Sequence, residues 1–170
     1  MKAYVHRHQP SANGATVLKA GFGGAVAIAI VALLSDASGV MWLMAPFGAT
    51  CVLLFSVPAS PLSQPANVVG GHFISTLIGL IVLMSLPITW WSMALAVGLA
   101  IAAMAALRIT HPPAGADPLV VMMAGAGAGA GVGVGFDFLL FPTLTGAVAL
   151  VAVASVVHRI GPKTPYPMKP

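Results

Sequence analysis

The chain has 170 residues, 59% hydrophobic and only 6% charged, so it lacks the charge to cover a soluble surface, where about a quarter of residues are charged. It is also too apolar to remain disordered. The net charge of +4 gathers near the two ends without forming a basic stripe, which argues against a nucleic-acid surface, and a single cysteine, Cys51, excludes an internal disulfide and a C-x-x-C metal site.

The composition predicts an all-α polytopic membrane protein. Residues 1–16 read as a cytoplasmic tail. Its H-x-H pair, His6 and His8 beside Tyr4, has no cysteine or acid near it, so a solvated tail is expected, with no metal and no other cofactor. Residues 17–34 form the first apolar window, read as a retained helix rather than a cleaved signal peptide. The second window, residues 40–57, is interrupted by Pro46 and followed by a polar, proline-rich loop. The third and fourth windows, residues 68–86 and 90–107, are uninterrupted. The break Arg108-Ile109-Thr110-His111-Pro112-Pro113 leads to a fifth window at residues 119–135, with glycine at every odd position from Gly125 to Gly135. Small residues four apart suit close helix packing in lipid, and the pattern lacks the spacing of a dinucleotide loop. Residues 138–157 form the sixth window, and residues 159–170 a second cytoplasmic tail. A spanning helix needs roughly 17 to 25 apolar residues. Four windows are strong by that measure, and the second and fifth are weaker.

Six crossings are favoured over four because they put every Lys and Arg on one side. Asp36, Asp137, Trp42, Trp90 and Trp91 then fall on the other, as in a multi-pass protein of a bacterial cytoplasmic membrane with both termini inside. A shift of 67 residues lays Pro46-Phe47-Gly48-Ala49 on Pro113-Ala114-Gly115-Ala116, and Thr76-Leu77-Ile78-Gly79 on Thr143-Leu144-Thr145-Gly146. With three helices per half, at about residues 17–86 and 87–158, the halves must run in opposite senses. The expectation is a 3+3 inverted repeat with broken helices at corresponding positions.

Two clusters could carry chemistry. Around Arg108, Thr110, His111, Pro113, Ala114 and Gly115, the paired prolines should free backbone amides at a helix start, which can bind an anion beside the arginine. The bland reading is a proline-rich loop with Arg108 as a topology anchor. Asn67 and His72, near the break at Pro46 and Gly48, offer a neutral lining. As structure alone, Asn67 would cap a helix and His72 would be a hydrogen-bonded core residue. His111 and Asp117 are candidates for proton coupling, whereas Asp137 is expected at the outer interface.

His111-Pro112-Pro113 followed by Ala-Gly-Ala resembles the signature of the HPP family of integral membrane proteins. Pro46-Phe47-Gly48-Ala49, Ser60-Pro61-Leu62-Ser63-Gln64-Pro65, Asn67 and Gly70-Gly71-His72 extend the resemblance over about residues 19–157. Members are usually described with four spanning helices, and chloroplast and cyanobacterial relatives as nitrite transporters. The resemblance covers a membrane domain (residues 17–158) and not the regulatory CBS pair that some relatives carry. It implies transport of a small inorganic anion such as nitrite, with the lipid bilayer and further copies of the chain as partners. The alternatives are a non-transporting assembly subunit and, disfavoured by the lack of paired carboxylates, a membrane-embedded lipid-modifying enzyme.

Overall fold

The structure is a computed structural model and describes residues 5–7, 9–40, 42–127, 134–160 and 165–169. Tyr4, His8 and residues 128–133 of the alternating-glycine segment lie outside them. The elements are α1 (Gly14–Ser38), α2 (Ala45–Ser56), α3 (Pro65–Ser85), α4 (Trp90–Ala106), α5 (Asp117–Gly125) and α6 (Thr145–Val157). Tight 3-10 turns, Pro61–Ser63 and Pro112–Ala116, precede α3 and α5, and a π-helical turn, Leu139–Leu144, leads into α6. Among the described residues there is no strand.

Local chemistry sets the ends of these helices. The Asn13 side chain accepts from the Thr16 amide at 2.9 Å to start α1, and left-handed Gly39 ends it. Prolines 46, 65 and 118 each stand in a first turn, where the missing N–H costs no helical bond. Thr89 and Ser92 form a reciprocal cap at the start of α4. The end of α4 is unusual. Arg108 and Ile109 donate to the carbonyls of Ala105 and Met104, closing a Schellman turn that puts Arg108 at φ +60°, a position ordinarily given to glycine.

The stretches Gly14–Ser38, Pro65–Ser85 and Leu139–Val157 are long and apolar enough to cross a membrane, and Trp90–Ala106 is apolar but shorter. The second and fifth windows contract further. α2 has 12 residues and α5 has 9, about 18 and 14 Å of helix at 1.5 Å per residue, against a hydrocarbon core of about 30 Å. These are half-helices, each started by a proline.

Polarity is distributed inside out. Phe22, Leu33, Val52, Met84 and Trp90 are more than 60% exposed, whereas Thr50, His72, Ser75, Thr76, His111, Asp117 and Thr143 are essentially inaccessible. A water-soluble fold would reverse this, so the outer surface is one that lipid covers. Helix α1 packs on α2 and α6, while α3 packs on α4, α5 and α6 and supplies three of the buried polar residues, His72, Ser75 and Thr76. The C-terminal residues are not a free tail. Tyr166 is buried against the His158 ring, and the Met168 amide donates to Gln64 Oε1 at 2.8 Å.

Candidate functional site

The two proline breaks face each other. Pro46 starts α2, Pro112 and Pro113 start the turn before α5, and a cleft of about 590 Å3 lined by Ala45, Pro46, Ala49, Pro113 and Ala116 among others lies between them. Behind this apolar cleft runs a continuous buried hydrogen-bond chain. Asp117, the first residue of α5, puts Oδ2 2.7 Å from His72 Nδ1 on α3. His72 Nε2 lies 2.9 Å from Thr50 Oγ1 on α2, and the same hydroxyl lies 3.0 Å from His111 Nε2. His111 Nδ1 lies 2.8 Å from the carbonyl of Leu62, which fixes that nitrogen as the donor.

Surrounding groups hold the chain in place. Thr76 donates to Asp117 Oδ2 at 3.3 Å and meets the Thr143 hydroxyl, also at 3.3 Å. Ser75 donates to the Ala114 carbonyl, tying α3 to the turn before α5. Phe47 stands edge-on to His72 with ring centroids 5.2 Å apart, and the two imidazoles are edge-on at 5.0 Å. Gly71 makes room for His111. A Cβ there would lie 2.7 Å from His111 Cβ and 3.3 Å from the Ile109 carbonyl. Asp117 Oδ1 is buried without a donor among the described residues.

The residues anticipated from sequence divide into two groups. His72, His111 and Asp117 come together, and Pro46 joins them through its carbonyl, 3.2 Å from Thr50 Oγ1. Asn67 is not a helix cap, since Gln64 precedes α3. Its Nδ2 instead donates to the Thr110 carbonyl at 2.9 Å, holding the segment that delivers His111. Pro113 and Ala114 are buried at the edge of the cluster, and a side chain at Gly115 would meet nothing within 4 Å. Gly48 lies apart, facing α1 with Gly21 and Gly24 along a separate groove. Arg108 and Asp137 are both exposed.

One expectation is corrected in part. The amides of Ala114, Phe47 and Asp117 are not free for an anion. Ala114 N–H donates to the His111 carbonyl at 3.0 Å, Phe47 N–H to Met44 at 3.0 Å, and Asp117 N–H to Ala114. A 3-10 turn closes its own bonds at a helix start, so paired prolines need not leave donors exposed.

Thr50, Ser75, Thr76 and Thr143 were not anticipated as site residues. A signal existed for three of them. Thr76 and Thr143 are matched at the 67-residue offset, and the same offset lays Thr50 on Asp117.

The family model for the HPP transmembrane region matches residues 9–167. Two transmembrane proteins of Dictyostelium discoideum are 35% identical over 130 residues and 33% identical over 132 residues. The matches cover 74% and 75% of this chain but 44% and 41% of those proteins, so the chain spans less than half the length of these relatives. No solved structure matches it significantly.

Proposed function

The chain belongs to the HPP transmembrane family, and we propose that it carries a small inorganic anion, nitrite being the first candidate, through the crossing of its two half-helices. The observation that supports this reading is the Asp117–His72–Thr50–His111 chain, ionisable and buried at the centre of a lipid-covered bundle. Ionisable groups inside a membrane domain are costly and mark substrate or proton pathways. Half-helices facing one another from the two halves of a 3+3 inverted repeat are the usual frame for such a site. The packing agrees with that repeat, because α1 lies on α6 as α3 lies on α4.

In this reading the anion enters the cleft between Pro46 and Pro113 and is held near His111, His72 and Thr110, with Asn67 keeping the Thr110 segment in place. A side chain at Gly115 would meet nothing within 4 Å, and Ala114 anchors the turn through its carbonyl. Arg108 serves outside the site. A side chain held in a glycine-type conformation at a cost of about 1 kcal/mol is better explained by its charge than by its fold. Exposed at the end of α4, it raises the local anion concentration. We assign the chain to a bacterial cytoplasmic membrane with both termini inside, as a homo-oligomer and not as an enzyme. Purified protein in liposomes, tested against nitrite, nitrate and chloride, should accumulate nitrite above protein-free vesicles. Inactivity toward all three, with a stable co-purifying partner, would favour an assembly subunit instead.

A second reading has one observation behind it. Asp117, His72 and Thr50 have the connectivity of a nucleophile triad. Against it, the Thr50 hydroxyl is wholly buried and also engages His111 and the Pro46 carbonyl, which leaves no approach for an acyl group. Labelling of Thr50 by a fluorophosphonate probe would establish the enzyme and displace the transporter.

A further inference from the structure

We propose that the buried chain is a proton-loading site with two fully bonded states, neutral and singly positive, so that one proton enters with each anion. The inference rests on the transport reading above and specifies its coupling.

Counting hydrogens along the chain carries the proposal. Four contacts must each contain one hydrogen: Asp117–His72, His72–Thr50, Thr50–His111 and His111–Leu62. The Leu62 carbonyl can only accept, so Nδ1 of His111 carries a proton and Nε2 of the neutral ring is an acceptor. The Thr50 hydroxyl then donates to His111, and must itself receive from His72 Nε2–H. The fourth hydrogen lies between His72 Nδ1 and Asp117 Oδ2, on either atom. Each of these four contacts is filled and the net charge is zero. Removing one proton would leave two imidazole lone pairs facing a single hydroxyl, together with an uncompensated buried negative charge, which is doubly unfavourable.

Adding a proton is different, because Thr50 has a second acceptor. If His111 Nε2 is protonated, it donates to Thr50 Oγ1, and the hydroxyl hydrogen swings to the Pro46 carbonyl at 3.2 Å. His72 Nε2–H still donates to Thr50, and the other contacts are unchanged. Five hydrogens now fill five contacts, with net charge +1. The hydroxyl rotor is therefore the switch: threonine at position 50 uses its hydrogen and one lone pair in the neutral state, and its hydrogen and both lone pairs in the positive state.

The titratable groups facing one another are His72 from α3, His111 from the turn before α5, and Asp117 from α5. The facing groups from α2 and from the turn before α6, Thr50, Phe47 and Thr143, are neutral. Arg108 stands outside. The added proton is thus the site's source of positive charge. A buried cation needs an anion beside it, and a desolvated anion needs a cation, so the two bind together and cross without net charge.

The test uses proteoliposomes holding a pH-sensitive dye, with nitrite outside, voltage set by potassium and valinomycin, and protein-free vesicles to subtract leak of the free acid. Nitrite uptake should follow an inward proton gradient, ignore voltage, and acidify the lumen by one proton per nitrite. Thr50→Val should lower it about tenfold or more, while Thr50→Ser, which keeps the rotor, should preserve coupled uptake. Voltage-driven nitrite uptake without acidification would overturn the proton proposal and leave transport standing. Absence of nitrite uptake would overturn the transport reading. The proton site would then be decided by 15N spectra of the histidines in the purified protein. As the pH is lowered with the protein still folded, His111 should keep Nδ1 protonated and gain a proton at Nε2. A bare Nδ1, or no second proton before the protein unfolds, would refute the loading site.

Discussion

The hydroxyls of Thr76 and Thr143 meet at 3.3 Å, and the two residues stand 67 positions apart in the chain. The same spacing separates Pro46 from Pro113 and Gly79 from Gly146. If the proposed inverted repeat holds, equivalent residues of its two halves can touch each other only close to the two-fold axis between them. The two matched glycines also sit at close helix contacts, although against different partner positions. Gly79 on α3 packs against Pro118 of α5, and Gly146 on α6 packs against Phe47 of α2. If the axis passes here, Thr76→Val and Thr143→Val should be coupled. A double-mutant cycle by unfolding in micelles should give about 0.6 kcal/mol, the usual size for such bonds in membrane proteins. Additive effects would take these hydroxyls off the axis.

Asp117→Asn should separate chemistry from folding. The amide keeps the shape, but it cannot share a proton with His72 as the carboxyl does across 2.7 Å. Coupled uptake should fall about a hundredfold, in line with loss of a positioned proton donor or acceptor, at unchanged membrane levels. Asp117→Ala should additionally destabilise by about 3 kcal/mol by leaving His72 without its buried partner. Comparing flux per folded molecule in the two variants is the measurement, and full activity in either would remove Asp117 from the pathway.

Gly71 tests how closely His111 must be held. A methyl group at this position cannot fit without moving His111 or the Ile109 carbonyl. Gly71→Ala should cost about 1 to 3 kcal/mol from overpacking and shift the His111 nitrogen signals. Wild-type spectra and unchanged thermal stability would show the turn to be looser than its contacts imply.

Arg108→Gly should move stability and uptake in opposite directions. Glycine accepts φ +60° freely, so thermal stability should rise by about 1 kcal/mol. Nitrite uptake should fall severalfold at low salt, and the difference should shrink as ionic strength rises and the Debye length shortens. Complete loss of uptake at every salt concentration would instead put the guanidinium in contact with the substrate.

His158 gives the fold an acid sensitivity outside the spans. Burial holds its pKa below the ordinary 6.5, with nearby Lys19 adding to the depression, although its bond to the Leu54 carbonyl at 2.8 Å acts the other way. The beside-lying Tyr166 hydroxyl is pushed up to about 12 by burial and stays neutral. A depressed histidine contributes stability that is whole above the unfolded value of 6.5 and is lost as the pH falls from there through the native value, because only the unfolded chain takes up the proton. His158→Gln retains a donor for Leu54 and cannot titrate. Its melting temperature should therefore fall less than wild type between about pH 7.5 and pH 5.5, and equal losses would exclude this contribution.

What the sequence determined by itself was everything that local chemistry dictates. Its apolar windows required a lipid environment, the prolines at 46, 112 and 113 marked the start of the second helix and of the turn before the fifth, and the ordered motifs around His111 identified the family. Only the tertiary structure decided which residues face one another. Thr50 sits in an apolar window like any other small residue, and nothing local announces that it stands between two imidazoles brought from 22 and 61 residues away. Arg108 lies close to His111 in the chain, yet the left-handed turn at the end of α4 leaves it exposed while His111 is buried. The physical reason is the solvent. In water, an amphipathic stripe tells which face of a helix is inside, but in a bilayer both faces of these helices are apolar and that contrast disappears. The inward faces are then selected by packing and by a handful of hydrogen bonds, and these become visible only when the helices are assembled.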